Sequence, residues 1–404
     1  MVRILAIGNM YPPHHAGGYE TMWQAAMKHA RSLGHQVRVL VSDYRQPGAA
    51  VEQDPDVHRT LRWYWDLERY EFPRLSPRER LSIERYNAAE LARHLRELQP
   101  DVVSWWSMGC MSLAMIEQVR RAGIRASFVV HDDWLVYGPH YDQWIRMWHG
   151  WRKAVAPAVE RLSGIPTEVD LSSVGPFVFN SRYTLERARE AGVAALGATV
   201  VYPGIDERFL TESPPEPWRW RLVCVTRMDR QKGVDVAIRA LPRLPEAAVL
   251  SIWGTGDDRY VEEVRRLAAE LGVGDRVRFE GWADPDRLVR VYAAADAVLF
   301  PVRWEEPFGL VPLEAMGIGR PVVSTARGGA AEFLRDGDNA LVCAVDDHEA
   351  VADAIRRLGE DDRLRERLRD GGRQTAVRFT LSQFAERTVQ EILRAAVPTP
   401  APPA

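Results

Sequence analysis

Ala297-Val298-Leu299-Phe300-Pro301-Val302, then Arg303-Trp304, then Glu305-Glu306-Pro307-Phe308-Gly309-Leu310-Val311-Pro312-Leu313-Glu314-Ala315-Met316, is the stretch whose reading decides the fold. The first six residues form a continuous apolar run of the kind that fills a buried parallel strand. Phe308 and Gly309 suit a loop. Pro312 suits a helix first turn, where a missing N–H costs nothing. A strand that feeds a helix this abruptly leaves free backbone N–H groups at the helix start, and these favour an anion. Glu306 before the turn and Glu314 after it put a carboxylate on each side of that anion site. A ligand with hydroxyls to donate and an anion to place between them, such as a sugar nucleotide, matches the pattern.

Upstream in the same half, Arg221 to Thr226 reads as a strand, Arg227 to Gly233 as a loop and Val234 to Leu241 as a helix. Further strands are expected at 248–253, 277–280, 321–324 and 340–343, with helices between them, which predicts a doubly wound parallel sheet. Arg227 and Lys232 flank the first strand-to-helix turn. Taken singly, each is an exposed loop cation. Together with the Glu306–Glu314 junction they supply two charges for a diphosphate, each contact worth about 2–5 kcal/mol by truncation when desolvated.

The first half repeats the alternation. Val2 to Ile7 is a strand, the loop to Gly18 carries Gly17-Gly18, Tyr19 to Leu33 is a helix ended by Gly34, and Gln36 to Ser42 is the next strand. The glycine pair lacks the G-x-G-x-x-G spacing; it serves either a tight turn or a close backbone approach to phosphate or sugar. Residues 44–56 read as loop, 59–75 as an irregular aromatic-rich stretch including Tyr70, and 77–98 as a long charged helix. Strands follow at 100–105 and 125–130, the latter ending in His131-Asp132. Ligands of open α/β sheets collect at the carboxyl ends of strands, so His131 belongs either to a site or to a satisfied loop network. Tyr137 to Val155 reads as one helix with Trp144, Trp148 and Trp151 on a single face, packing on the sheet or lying at an acceptor or membrane surface. A strand at 175–180, a helix at 181–191 and a strand at 199–202 complete this half. Pro203-Gly204 and Pro214-Pro215-Glu216-Pro217 mark the junction between halves. The tail from Pro398 is proline-rich and expected to be disordered.

The chain's 404 residues are ample for two α/β domains. A net charge of −3 gives no basis for nucleic-acid binding. Cys110, Cys224 and Cys343 are scattered without metal-ligand spacing. With a strand at the N-terminus and no apolar run of membrane-spanning length, the expectation is a cytoplasmic protein, with a peripheral position at the inner membrane face as its variant.

These motifs resemble those of the retaining glycosyltransferases of the GT-B fold, family 4 (glycosyl transferases group 1), over Met1 to about residue 395. The resemblance implies an α/β chain of two doubly wound, Rossmann-like domains facing a central cleft: an acceptor-side domain over 1–205, a nucleotide-sugar domain over 206–380, a crossover helix over 381–395 that packs back on the first domain, and a disordered tail over 396–404. Domain closure about the hinge near Gly204 is part of that expectation. Glu314 resembles the carboxylate that holds the donor ribose, and Glu306 the one that contacts the transferred sugar. Arg227 and Lys232 resemble the diphosphate pair, joined by backbone N–H groups around Phe308, Gly309 and Leu310. Gly281-Trp282 looks like the nucleobase edge, and Gly17, Gly18 and His131 match the cleft glycines and histidine. The catalytic set implied is thus Glu306, His131, Arg227 and Lys232. No cofactor and no metal is implied; the Asp-Pro-Asp triplets at 54–56 and 284–286 are poor metal sites. The implied reaction moves a sugar, with retention, from a nucleoside-diphosphate sugar to a hydroxyl of a glycan, lipid or small molecule. A UDP-sugar is the expected donor, with GDP-mannose as the alternative. A sugar-nucleotide epimerase, a phosphorylase or a non-catalytic sugar-nucleotide scaffold on the same fold are the rival readings.

Overall fold

The structure, a computed structural model, describes residues 1–14, 17–66, 71–172, 174–195, 197–211 and 217–397. Tyr70, the Pro214-Pro215-Glu216 part of the expected junction and the tail from Pro398 lie outside the described residues.

Contacts divide the chain into two compact units, Met1–Tyr202 with Gln383–Ala404, and Pro203–Ser382. In the first, strands β1 (Arg3–Ile7), β2 (Gln36–Ser42), β3 (Val57–Leu61), β4 (Val102–Trp105), β5 (Ala126–Val130), β6 (Phe177–Phe179) and β7 (Thr199–Val200) pair in parallel in the order β3-β2-β1-β4-β5-β6-β7. Helices α1 (Gly18–Ser32), α2 (Pro77–Leu98), α3 (Ala114–Arg121), α4 (Trp134–Tyr141), α5 (Ala156–Ser163) and α6 (Arg182–Glu190) connect them. Every residue of β4 and β5 is buried, as strands covered on both faces must be. Trp105, Phe128 and Phe177 stack through the middle of this core.

The second unit holds β8 (Arg221–Val225), α7 (Val234–Ala240), β9 (Val249–Trp253), α8 (Asp258–Glu270), β10 (Val277–Gly281), α9 (Pro285–Ala294), β11 (Ala297–Phe300), α10 (Leu310–Ile318), β12 (Val322–Ser324), β13 (Leu341–Val342), α11 (His348–Glu360) and α12 (Asp362–Ala376). Its sheet runs β10-β9-β8-β11-β12-β13, again all parallel. The order turns outward on either side of β8 and β11, so the loops after these two strands lie next to each other at the carboxyl edge, which is the topological switch point.

The chain passes from one unit to the other at Tyr202–Pro203 and returns at Ser382–Gln383. The passages are hydrogen-bonded: Ile205 N–H donates to Phe379 O at 2.9 Å and Leu381 N–H to Ile205 O at 2.7 Å. A Cβ at Gly204 would lie 2.0 Å from Thr380 O, so only glycine fits there. Helix α13 (Leu381–Ala396) then buries Phe384, Ala385, Val389 and Ile392, a helical seam that belongs to the first unit from Gln383 onward.

Two expectations fail. The single helix over Tyr137–Val155 is instead α4 followed by two short 3-10 turns, Ile145–Trp148 and Gly150–Ala154, and α5. Pro139 lies within α4; the path breaks at Asp142, which leaves the helical region at ψ 118°, and again at Gly150, at φ 65°. The Asp142 carboxylate restarts it by accepting from the N–H groups of Trp144 and Ile145, both at 2.8 Å. Trp144 and Trp148 are core residues, whereas Trp151 is exposed, so the three share no face. The stretch beginning at 59 is also not wholly irregular: β3 pairs in parallel with β2.

Candidate active site

The loop after β8 is shaped by glycines of its neighbours. A Cβ at Gly254 would sit 1.8 Å from Thr226 O, and one at Gly233, which lies at φ 68°, would sit 2.0 Å from Pro301 O. The loop therefore lies flat against the ends of β9 and β11. Arg227 is 52% exposed and its Nε donates to Asp229 at 2.7 Å. Lys232 points the other way in chemical terms: its side chain is only 12% exposed, its Nζ lies 4.7 Å from the Trp304 ring centroid, and it is ion-paired with Glu306. The two cations expected to act as one pair thus hold separate partners.

Arg303, to which the sequence reading assigned no role, joins the two loops. Its N–H donates to Gln231 O at 2.8 Å, and its guanidinium grips both oxygens of Asp235 at 2.7 Å and the carbonyl of Arg230 at 2.8 Å. The Asp235 carboxylate is held below its usual range by Arg303 and Tyr260 against the opposing pull of burial. The fork geometry makes this a bidentate clamp between the Lys232 loop and the Glu306 loop. A second missed pair is Gly328-Gly329. Gly329 N–H donates to Glu306 O at 2.7 Å, and Cβ atoms at 328 and 329 would lie 2.3 Å from Glu306 O and 2.1 Å from Pro307 O. Beside them Arg327 pairs with Glu305. The sequence signals for these elements are a cation directly after Val302 and a glycine pair separated by three residues from the end of β12.

Gly309, at φ 90°, opens α10 without any side-chain cap. Pro312 has no N–H, so the orphan donors of this first turn are those of Leu310 and Val311. Phe308 is buried against Phe333 and Phe379, which fixes the loop in front of the turn. Glu314 follows one turn in, where Tyr292 Oη donates to it at 2.7 Å. Burial pushes its carboxyl up to about 7, with the Tyr292 hydrogen bond opposing and the Asp206 charge adding. Glu306 and Glu314 therefore occupy different environments, one ion-paired to a cation and one held by a phenol. Trp282 stands 57% exposed immediately after Gly281. Of the Asp-Pro-Asp triplets, Asp284 caps α9 and Asp54 pairs with Arg31. Among the described residues no group of three His, Cys, Asp or Glu side chains is arranged to hold a metal ion.

In the first unit, His131 sits at the carboxyl end of β5, 7% exposed, with ring contacts to Tyr19, Trp106 and Phe384. Neither ring nitrogen has a hydrogen-bond partner. Burial pushes its pKa down to about 3, so the imidazole is neutral. Asp132 accepts from Tyr137 Oη at 2.9 Å through one oxygen and has no partner for the other. Burial raises this carboxyl to about 6. Four orphaned polar atoms at one strand end, on His131, Asp132 and Asp133, mark a place where a polar ligand would restore lost hydrogen bonds. Gly17 supplies less than expected. Its N–H donates to the Glu20 carboxylate at 3.1 Å, which closes the start of α1, so of the pair Gly18 alone stands outside that cap.

Comparison with known proteins gives two family matches that tile the chain: Glycosyltransferase Family 4 over residues 16–209 and Glycosyl transferases group 1 over residues 208–375. The lipopolysaccharide core biosynthesis glycosyltransferase LpsE of Rhizobium meliloti is 37% identical over 165 residues, 41% of this chain and 46% of that protein. A GDP-mannose-dependent alpha-(1-6)-phosphatidylinositol monomannoside mannosyltransferase of Mycolicibacterium smegmatis is 33% identical over 219 residues, 49% of this chain and 56% of that protein. The chain spans about half the length of the curated relatives it matches. In fold it is similar to Anabaena HepE, solved with UDP-glucose, at a TM-score of 0.70 and 20% identity over 98% of this chain and 100% of that one. Sucrose-phosphate synthase of Thermosynechococcus elongatus is similar at 0.73 and 20% identity, covering 97% and 98%.

Proposed function

The chain belongs to the GT-B glycosyltransferases of family 4, group 1, and on that premise we propose that it transfers a sugar from a nucleoside-diphosphate sugar to an acceptor hydroxyl with retention of anomeric configuration. The observation that carries the proposal is the Lys232–Glu306 ion pair, which joins the loop after β8 to the loop that leads into the uncapped start of α10. A cation, orphan N–H groups and a carboxylate on adjoining loops are what a leaving diphosphate and a sugar hydroxyl require.

In this reading Arg227, Lys232 and the N–H groups of the Phe308–Leu310 turn take the diphosphate. Charge grows on its bridging oxygen as the bond to the anomeric carbon breaks, and fixed dipoles with a half-buried ammonium stabilise that charge at little reorganisation cost. The acceptor oxygen bonds to the anomeric carbon on the face the phosphate leaves, and its proton passes to a phosphate oxygen. Glu306 orients the sugar and Glu314 receives the ribose hydroxyls. Trp282 offers a face to the base. His131, neutral and with both nitrogens unpartnered, serves as the catalytic histidine by hydrogen bonding to a sugar hydroxyl. A UDP-sugar is the proposed donor, supported by the UDP-glucose held by the Anabaena neighbour; a glycan, lipid or small molecule provides the acceptor hydroxyl. Metal independence follows from the protein cations assigned to the diphosphate.

The test is product stereochemistry. NMR of the product of the purified protein with a UDP-α-sugar and a hydroxyl acceptor, in the presence of a chelator, is expected to show an α-linkage. A β-linkage, or isolation of a covalent glycosyl–Glu306 adduct, would overturn the mechanism.

A further inference from the structure

The carboxyl end of β5 holds hydrogen-bonding groups with nothing to bond. His131 is 7% exposed and neither of its ring nitrogens has a partner. Asp132 Oδ1 and Asp133 Oδ1, which follow it, are buried and lack a donor. Asp133 stands at the N-cap of α4, where an aspartate ordinarily accepts from the helix, yet its side chain makes no such bond.

Asp132 is set in place by its neighbours. Tyr137 Oη donates to Asp132 Oδ2 at 2.9 Å. That hydroxyl fills the space which a side chain at Gly109 would need, since a Cβ there would lie 2.7 Å from it. The Gly109 carbonyl accepts from Trp63 Nε1 at 3.0 Å and from Asn9 Nδ2 at 3.3 Å, so the loop after β4 is held from two sides. The carboxylate thus has one oxygen occupied and oriented, and the other free.

The groups that act on Asp132 are Tyr19 of α1, Cys110 of the loop after β4, Tyr137, the Trp134 N–H and Asp133. No cation is among them. Tyr19 Oη is already spent on Val129 O at 2.9 Å. Burial pushes the Cys110 thiol up to about 12, so it stays protonated. The arginine that acts on Asp133, Arg187, is paired with Glu190.

We propose that Asp132 determines acceptor specificity: its free oxygen accepts from a hydroxyl of a neutral polyol, such as an unphosphorylated sugar, and disfavours a phosphate or carboxylate there. The inference rests on the transferase reading and narrows its acceptor to one chemical class. A buried carboxylate forms strong charge-assisted bonds with O–H donors. An anion brought to the same place meets like charge in a low dielectric and finds no donor on Asp132. His131, neutral, adds one N–H donor and one acceptor nitrogen. Hydroxyls, which both donate and accept, match this set; a phosphate dianion only accepts.

Ligand-observed NMR of the full chain tests the proposal, with myo-inositol, glucose and maltose each titrated against its monophosphate at about pH 8, where the carboxyl is ionised. At least one neutral probe is expected to bind about tenfold or more tighter than its monophosphate. Asp132→Asn keeps the shape and the Tyr137 bond; it is expected to weaken the neutral probe about tenfold and to bring the pair within about twofold. Gly109→Ala, which drives the Tyr137 hydroxyl away from Asp132, is expected to shrink the preference in the same direction. An unchanged thermal unfolding midpoint certifies that each variant is folded. Lost packing would weaken neutral and phosphorylated probes alike, whereas loss of this charge favours the phosphate. A monophosphate that binds as tightly as its neutral form, no binding of any neutral probe, or a preference that both variants leave intact would each overturn the proposal. The titrations contain no nucleotide, so their failure is distinct from failure of the transferase reading, which the response to UDP decides.

Discussion

Lys232 Nζ and the Glu306 carboxylate form an ion pair that bridges the loop after β8 and the loop before α10, with side-chain exposures of 12% and 8%. Each charge is compensated by the other, and the cation also rests on the Trp304 ring. A pair this buried stabilises mainly by avoiding the cost of leaving one charge alone.

Lys232→Ala leaves Glu306 buried without its partner and is expected to cost about 3 kcal/mol of stability. Glu306→Gln, which keeps shape and hydrogen bonding, is expected to cost less stability and to lower kcat by about a hundredfold or more. Chemical denaturation of both variants, with turnover of the second, checks the pair.

Arg303 is a positioning residue. Arg303→Lys keeps the charge and loses the fork that holds Asp235, so stability should fall by about 1–3 kcal/mol and the donor KM should rise. Asp235→Asn should give the same split, because it breaks the same clamp. Urea unfolding and steady-state kinetics of the two variants and the double variant read the coupling; additive effects would contradict a shared role.

A Cβ at Gly233 meets the Pro301 carbonyl at 2.0 Å, in a left-handed backbone region at φ 68°. Gly233→Ala is therefore expected to destabilise by about 2 kcal/mol or more and to weaken nucleotide binding by shifting the Lys232 loop. Gly272→Ala, at φ 69° but with open space around it, should cost only about 1 kcal/mol and leave binding intact.

The pH dependence of stability has a specific source in the first unit. Glu84 is fully buried and accepts from Tyr64 Oη and Ser112 Oγ, each at 2.7 Å. Burial, then the Asp142 charge, pushes its carboxyl up to about 8, and burial lifts Asp142 to about 6. A carboxyl whose folded pKa is raised contributes stability below its unfolded value near 4.5, and loses it as pH rises through about 8. Glu84→Gln removes that loss. The variant should gain stability relative to wild type between pH 5 and pH 8.5 by on the order of a few kcal/mol, measured by denaturation at each pH. A constant difference across that range would contradict the assignment.

The sequence made the strands and the strand–loop–helix junction at Glu306 legible because buried parallel strands are continuous apolar runs bounded by turn residues. Strand β3 escaped because His58, Arg59 and Thr60 break such a run, and only its pairing with β2 reveals it. The helix read across Tyr137–Val155 failed because tryptophan spacing fits a helical face whether or not the Asp142 turn and Gly150 interrupt the path. Within the site, Lys232, Glu306 and Glu314 are legible as candidates, yet the residues that hold their loops and the Glu314 carboxylate are not. Arg303, Tyr292 and Gly328-Gly329 act across tens of residues of sequence, through contacts that no local pattern encodes.

The central claim is a nucleotide-diphosphate site on the second unit built around Lys232. Thermal and denaturant unfolding of the wild type against UDP, GDP, ADP and dTDP tests it most directly, with Lys232→Ala measured relative to its own unliganded state. UDP at about a hundred times its dissociation constant is expected to add about 2.7 kcal/mol to the wild type and much less to the variant. No stabilisation by any of the four, or equal stabilisation of wild type and variant, would contradict it.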